Sequence, residues 1–322
     1  MIAAEAPGRE TGVPGNDTPP RVAVILLNYN GLELTRDCLR SLARVDYPAF
    51  RSIVVDNGSA VDETIPLREE FGDTIDLVRN DDSKGFCAGN NQAMRLARAE
   101  DYRYLLLLNN DTTVEPDFLR RLVDFLEADR SIGIAGPKVV RYYDRSQLDS
   151  IGGDVRLVIA RHVHYRKPYT TPRRDLTFVH GCAFMVRREA AEQVGFLDED
   201  YYAYWEETDY CLRARRIGWR IGVEPAAVVY HKVGQTNRYL SNFYIYYMIR
   251  NGLLCMRKNG RPWEWPTFLL CFLIGDIAKY GAYLLVRRPR DFPVLARALS
   301  DFVAGRLGRR SLERTATARA SA

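Results

Sequence analysis

The stretch 104-YLLLLNNDTTVEPDFL-119 decides how this chain is read. Tyr104 to Leu108 form an uninterrupted apolar run, the pattern of a strand covered on both faces. The run stops at Asn109-Asn110-Asp111, three polar side chains with an acid last. A buried strand with such an end acts as a rigid arm, and in open α/β sheets ligands bind beyond the carboxyl ends of the strands.

Reading outward, the same design recurs. Val22 to Leu27 is a second apolar run, ending in Asn28-Tyr29-Asn30. Ile53 to Val55 is a third, ending in Asp56-Asn57, and Ile75 to Val78 is a weaker fourth. Helical spacing separates them: Leu34, Cys38 and Leu42 lie four apart, and residues 86 to 99 carry Met94, Leu96 and Ala97 on one side. Pro116 is expected to open the next helix, with a stripe of Phe118, Leu122, Phe125 and Leu126. A strand over Ile132 to Ala135 follows. Strands alternating with helices predict a mostly parallel sheet with crossover helices, an α/β fold of Rossmann-like character. Asn and Asp also end strands and begin turns without binding anything. Three consecutive strands with polar tips favour a ligand crevice.

The second half is mixed. Residues 150 to 187 hold short strands and loops. Then 198-DEDYYAYWEETD-209 packs six acids and four aromatics without a base. A helix follows to Ile217 with Gly218 as its stop, and Val228 to Tyr230 is a last strand before His231. Asp111 and His231 at strand ends suit a Mn²⁺ or Mg²⁺ that keeps positions open for phosphate oxygens. Glu206, Glu207 and Asp209 sit in one first turn, where acids also simply complement the helix dipole. The neighbouring Tyr201, Tyr202, Tyr204 and Trp205 form either a sugar-binding face or packing. A carboxylate desolvated by them would be a better general base. There is no Walker A sequence and no GxGxxG after the first strand, which argues against a Gly-rich phosphate loop.

Composition bounds the rest. The 322 residues are 47% hydrophobic and 27% charged, as in ordered globular proteins. The formal charge of +5 belongs to the C-terminus, where residues 287–322 hold nine Arg, no Lys and three acids. Such a tail suits an anionic membrane surface, taken here over nucleic acid. Six dispersed cysteines without metal spacing read as core thiols of a reducing, cytoplasmic compartment. Residues 1–20, with four Pro, three Gly and no apolar core, read as a disordered leader and not a signal peptide.

Six segments in order carry a family resemblance: 22-VAVILLNYNGLELTRDCLRSL-42, 53-IVVDNGSAVD-62, 80-NDDSKGFCAGNNQAM-94, the opening stretch, 181-GCAFMVRREAAEQVGFLDEDYYAYWEETDYCLRARRIGW-219 and 228-VVYHKVGQT-236. Over residues 21–238 the chain resembles the family 2 glycosyltransferases of GT-A fold, in their bacterial rhamnosyltransferase-like branch. The resemblance implies that Asn28, Tyr29, Asn30, Asp56 and Asn57 hold the nucleoside of an activated sugar. Gly85, Phe86, Asn90 and Asn91 would line the crevice beside it. Asn109-Asn110-Asp111 stands at the family's DxD metal motif, with Asn109 replacing the first Asp. Asp111 and His231 would bind the divalent metal, Mn²⁺ or Mg²⁺. Glu207 takes the place of the general-base Asp, with Glu206 and Asp209 in support and Tyr204 and Trp205 toward the acceptor. The activity implied is inverting transfer from a nucleotide-sugar donor such as dTDP-rhamnose to a hydroxyl of a lipid-linked or cell-envelope glycan. Competing readings are a sugar-phosphate nucleotidyltransferase, whose Gly-rich, Arg-containing loop is replaced here by NYNGLEL, and a non-catalytic nucleotide-sugar-binding or membrane scaffold.

Residues 239–322 form a distinct helical, basic region. Residues 266–286 are apolar enough to consider spanning a bilayer. Asp276 and Lys279 argue against it and are expected to pair on one helix face. An interfacial helix on the inner face of the cell membrane is the expectation, with a core helix packed on the catalytic domain as the alternative.

Overall fold

The computed structural model describes residues 18–165, 167–233 and 240–311. Most of the expected leader, the boundary near Arg238 and the last basic residues lie outside them. In chain order the elements begin with β1 (Val22–Asn28), α1 (Leu32–Leu42), β2 (Phe50–Asp56), α2 (Thr64–Phe71), β3 (Ile75–Arg79) and α3 (Gly85–Ala99). They continue with β4 (Tyr104–Asn109), β5 (Thr112–Val114), α4 (Phe118–Glu127), β6 (Ile132–Arg141), β7 (Leu148–Ser150), β8 (Gly153–Arg156) and β9 (Arg161–His164). Then come β10 (Arg173–Leu176), β11 (Ala183–Arg187), α5 (Arg188–Val194), α6 (Glu206–Arg216) and β12 (Arg220–His231). The C-terminal helices are α7 (Asn242–Asn259), α8 (Trp265–Phe272), α9 (Ala278–Arg287) and α10 (Pro293–Val303).

The main sheet runs β10-β12-β6-β11-β4-β1-β2-β3, with β5 paired to β12 and β7 to β6. β3, β2, β1 and β4 are mutually parallel, as are β6 and β12, while β11 enters antiparallel between them. Alternation along each parallel strand explains its uniform apolarity. Ala23, Ile25, Leu105 and Leu107 join the core under α3 and α6. Val24, Leu26, Leu106 and Leu108 join the core under α1 and α4 on the other face. Truncating one of these leucines to Ala should cost about 2–5 kcal/mol.

Several local expectations need correction. Pro116 does not open α4: the helix begins at Phe118, after a turn in which Phe118 N donates to Glu115 O at 3.2 Å. β5 has no counterpart among the strands expected from the sequence. It pairs antiparallel with β12, with Thr112 opposite His231. That register comes from a distant strand and has no local signature. Leu34 is only half-buried, and Thr35 and Leu39 join Cys38 and Leu42 on the inner face of α1.

α7 is anchored at its start by Ser241 Oγ, which accepts from Tyr244 N at 3.1 Å. Its Leu254 and Cys255 enter the core of the main domain. Residues 262–287 are helical throughout, with a π-helical turn at Leu273–Ile277. This 26-residue run is long and apolar enough to cross a membrane, its most apolar 18-residue window having a mean hydropathy of 1.7. Phe268, Phe272, Tyr280 and Leu284 pack inward against α7 and α10. Trp263, Leu269, Leu270, Leu273, Ile274, Leu285 and Val286 face outward, exposed. Asp276 and Lys279 form no ion pair among the described residues, since the wider π turn changes the angular spacing expected of an α-helix.

Candidate active site

Parallel register brings the polar tips together. Asn28 lies opposite Asp56, and Leu27 opposite Asn109. Beyond these ends lies a cleft of about 690 Å³. Tyr29, Asn57, Gly85, Phe86, Asn109, Asn110, Asp111, Tyr204, Trp205, Glu206, Glu207 and His231 all line it. Tyr202 lines it too, while Asn28, Asp56, Asn90, Asn91 and Asp209 are buried behind it as framework.

On the donor side that framework is complete. Asn28 is fully buried: its Nδ2 donates to Glu63 Oε2 at 2.7 Å, and its Oδ1 accepts from Thr35 Oγ1 at 2.8 Å. Asn110 Nδ2 donates to Thr35 Oγ1 at 2.9 Å. Asp56, also fully buried, accepts from Arg79 Nη1 at 2.8 Å and from Ser59 N at 3.1 Å. Asn57 Nδ2 donates to Gly85 O at 3.1 Å, which sets the start of α3. Asn30, at φ 48°, accepts from Ala60 N. Asn90 caps back onto Phe86 O, and Asn91 latches Leu197 through N–H and C=O alike. Gly85 sits at φ +83°, and a Cβ there would overlap the Tyr202 ring. Only glycine therefore fits this seam between the two sides of the cleft.

The opposite side gathers titratable groups. The β5–β12 register sets His231 Nε2 3.4 Å from Asp111 Oδ1. That oxygen is buried and makes no well-formed hydrogen bond. His231 Nδ1 meets Asp149 Oδ2 at 3.1 Å. Burial alone would lower the imidazole pKa, but bonding with Asp111 and Asp149 outweighs it and lifts it to about 9. Burial opposes ionisation of Asp149 as well. The bond with His231 and the nearby His180 nevertheless hold it down at about 2. A carboxylate on one ring nitrogen and an orphaned carboxylate oxygen facing the other is the arrangement that fixes a metal-binding imidazole. Asp111 and His231 therefore fit a divalent cation. His180 and Cys182 stand beside them, with ligand atoms within 4.8 Å of one another and of His231.

All four histidines of the chain line this cleft. His162 and His164 lie two apart on β9, so they share a face. His162 packs on Trp205 at 4.1 Å between ring centroids, and its Nε2 lies 3.0 Å from Thr208 Oγ1. Burial pushes the His162 and His180 imidazoles down to about 3.

α6 begins at Glu206 after an unusual approach, with Tyr202, Tyr204 and Trp205 all at positive φ (64°, 66° and 76°). Non-glycine residues in this region store strain, of order 1–3 kcal/mol each. Buried Arg250 and Asn251 of α7 hold the segment by donating to the carbonyls of Asp200, Tyr201, Ala203 and Tyr204 at 2.7–2.9 Å. Of the three acids, Asp209 turns inward: it accepts from Arg213 Nε at 2.7 Å, Asn259 Nδ2 at 2.8 Å and the Tyr201 hydroxyl at 3.2 Å. Glu206 and Glu207 both face the cleft. Burial raises both, Glu206 to well above the usual carboxylate range, and the Glu207 charge adds to the Glu206 shift. Glu207 is restrained by its own amide and that of Thr208 at the helix start. Glu207 is thus the less strongly raised of the pair, and the two carboxyls titrate together.

Sequence reading missed Asp149, His162, His164, His180 and Cys182. The alternation His162-x-His164 was the one available signal. Asp149 had none.

A parallel sheet with a carboxylate–imidazole pair at one strand end and a basic carboxylate across the cleft is the working plan of a GT-A nucleotide-sugar transferase. Residues 23–195 match the sequence model of Glycosyl transferase family 2, and the chain belongs to that family and is a glycosyltransferase. It is 25% identical over 246 residues to the low-salt glycan biosynthesis hexosyltransferase Agl10 of Haloferax volcanii, covering 72% of this chain and 74% of that protein. It is 23% identical over 220 residues to the dTDP-rhamnosyl transferase RfbF of Shigella flexneri, covering 65% and 72%. Among solved structures, the mannosyltransferase PcManGT of Pyrobaculum calidifontis with GDP-Man and Mn²⁺ has a TM-score of 0.57 at 20% identity, covering 91% of this chain and 78% of that one. S. aureus TarS 1-349 with UDP-GlcNAc gives 0.59 at 17%, covering 88% and 80%. GalNAc-T7 with UDP, GalNAc and Mn²⁺ gives 0.59 at 16%, and here the chain covers 75% of itself but only 48% of that protein. These structural likenesses establish the fold.

Proposed function

We propose that this glycosyltransferase transfers L-rhamnose from dTDP-rhamnose, with inversion, to a hydroxyl of a lipid-linked or cell-envelope glycan. The observation that carries the reading is the placement of Glu207, Asp111 and His231 on one cleft at the strand ends, with Asp149 bonded to His231 behind it. The rhamnosyl donor is supported by the likeness to the Shigella enzyme.

Asp111 and His231 would hold Mn²⁺ or Mg²⁺, the former being the ion named with two of the structural neighbours. When bound, such an ion offsets the charge that grows on a departing diphosphate. Glu207 accepts the proton of the acceptor hydroxyl. The acceptor oxygen forms the new bond at the anomeric carbon from the face opposite the diphosphate. The old carbon–oxygen bond breaks, and its electron pair leaves with the nucleoside diphosphate. Asp209 positions α6 and makes no contact with the substrates. Tyr29, Asn57, Gly85 and Phe86 receive the nucleoside, while Tyr204 and Trp205 face the acceptor.

Residues 21–238 carry the base and the metal-holding groups, and residues 239–322 complete the cleft and attach the enzyme peripherally to the cytoplasmic face of the membrane. The exposed stripe from Leu269 to Val286, flanked by Trp263 and by Arg287 and Arg290, supports an interfacial helix. A thermal-shift screen of nucleotide sugars with Mn²⁺, dTDP-rhamnose first, tests the donor. Stabilisation by dTDP-rhamnose that chelator removes is the expected result, and stabilisation by another nucleotide sugar alone would replace it. For attachment, Leu270→Glu with Ile274→Glu should abolish flotation with anionic vesicles. Unchanged flotation would place the attachment elsewhere.

A further inference from the structure

We propose that Arg309, on the segment after α10, is the donor-side cation of the cleft and binds the diphosphate oxygens of the nucleotide sugar. The inference deepens the donor reading above and rests on it. It begins with the basic tail, where Arg288, Arg297, Arg306 and Arg310 are engaged within the protein. Arg288 pairs with Asp291 at 2.5 Å, and Arg306 and Arg310 pair with the buried Asp301 at 2.6 and 3.2 Å. Arg297 donates to Ser311 O at 2.6 Å. Arg309 alone of this set reaches the other way, into the cleft.

Its backbone is fixed on both sides. Gly308, at φ +68°, donates to Asp200 O at 2.9 Å and accepts from Arg250 Nη1 at 2.8 Å. Arg310 N donates to the Tyr247 hydroxyl at 3.0 Å. The segment is thus strapped to α7 and to the loop that leads into the catalytic acids. From this strap the Arg309 guanidinium crosses to the loop before α3. Its Nη1 donates to Asp82 Oδ2 at 2.8 Å and to Ser83 O at 3.0 Å.

The cleft calls for such a charge. Asp111, Glu206 and Glu207 face into it, and among the described residues no other Lys or Arg lines it. A nucleoside diphosphate brings further negative charge, for which a guanidinium fork is the matching group. Arg309 is 58% and Asp82 72% exposed at the side chain, so their pair is screened and weak. It holds the guanidinium at the rim without competing strongly for it, and a diphosphate can take Asp82's place.

Isothermal titration of the full chain with Mn²⁺ tests this, using dTDP, UDP and GDP and their parent nucleosides. Arg309→Gln should weaken nucleoside diphosphate binding at least about tenfold, as expected for a lost charge-assisted bond, and leave nucleoside binding unchanged. Asp82→Asn frees the guanidinium and should bind the diphosphate as well as the parent or better. A strap held only for structure predicts instead that Asp82→Asn fails like Arg309→Gln, and that result overturns the proposal. So does parent-like diphosphate affinity in Arg309→Gln, which would leave the donor reading standing. Equal loss of nucleoside and diphosphate would move Arg309 to the base or ribose and also overturn it. A parent chain that binds none of the three diphosphates would remove the donor reading itself.

Discussion

On one wall of the cleft Asn28, Thr35, Asn110 and Glu63 satisfy one another, and Asp56 is neutralised by Arg79. On the other wall Asp111 Oδ1 and Glu206 Oε2 are buried with no well-formed hydrogen bond, and three aromatic residues sit at positive φ. The first wall is finished without a ligand and serves as a mould. The second leaves two buried carboxylate oxygens without a partner of their own, and on the proposed function their partners arrive with metal and substrate. Substitutions on the two walls should accordingly fail in different ways.

The largest effect is expected at Glu207. Glu207→Gln keeps the shape but removes the base, so turnover should fall at least about a hundredfold with donor affinity intact. Near-parent turnover would transfer the role to Glu206 and erase the distinction drawn between the two. Next is Asp149, which touches no substrate in the scheme. Asp149→Asn should weaken Mn²⁺ binding by about tenfold to a hundredfold, measured by titrating the metal in the presence of dTDP. An unchanged affinity would make the Asp149–His231 bond a packing detail.

On the finished wall the loss should be in stability. Asn28→Ala strands Thr35, Glu63 and Asn110 and should cost about 1–3 kcal/mol in denaturant unfolding. Glu206→Gln should match or exceed the parent's stability at neutral pH, because burial already disfavours the charged form of that carboxyl. The smallest effect separates the walls by pH. A carboxyl whose folded pKa is raised stabilises fully below its unfolded value near 4.5, and that contribution is lost as pH rises through the folded value. The parent should therefore lose stability as pH climbs above about 4.5, by at most about 1.4 kcal/mol per unit, with a shallower slope in Glu206→Gln. Activity should rise over the same range as Glu207 ionises, along an acid limb displaced upward from that of an ordinary glutamate. Coincident fall of both would contradict the assignment.

Much of this was legible in the sequence because it is written locally. Uniformly apolar β1 and β4 announced two-sided burial, and their polar tips announced the crevice. The meeting of Asp111 with His231 was also readable, as two strand ends. What could not be read depends on pairing between distant segments. β5 joins β12, and β7 joins β6, and only these registers carry Asp149 to His231. Asp209 was partly readable: Arg213 stands four residues on, the spacing of a helical ion pair, and a paired acid is a poor base. Asn28, Asp56, Asn90 and Asn91 lie where expected but face their own framework, since residue type and position do not reveal which way a side chain turns.

The bonds that Arg250 and Asn251 make to residues 200–204 and to Gly308 bear on how such a chain can be recombined. The loop that aims Glu207 falls beyond residues 23–195, and its shape is dictated by a helix later still. A chimera that swaps everything after residue 238 for a relative's segment would keep each acid yet lose their aim, unless that relative supplies the same two side chains. The acid loop and α7 must therefore be transferred as one unit, although the chain writes them forty residues or more apart.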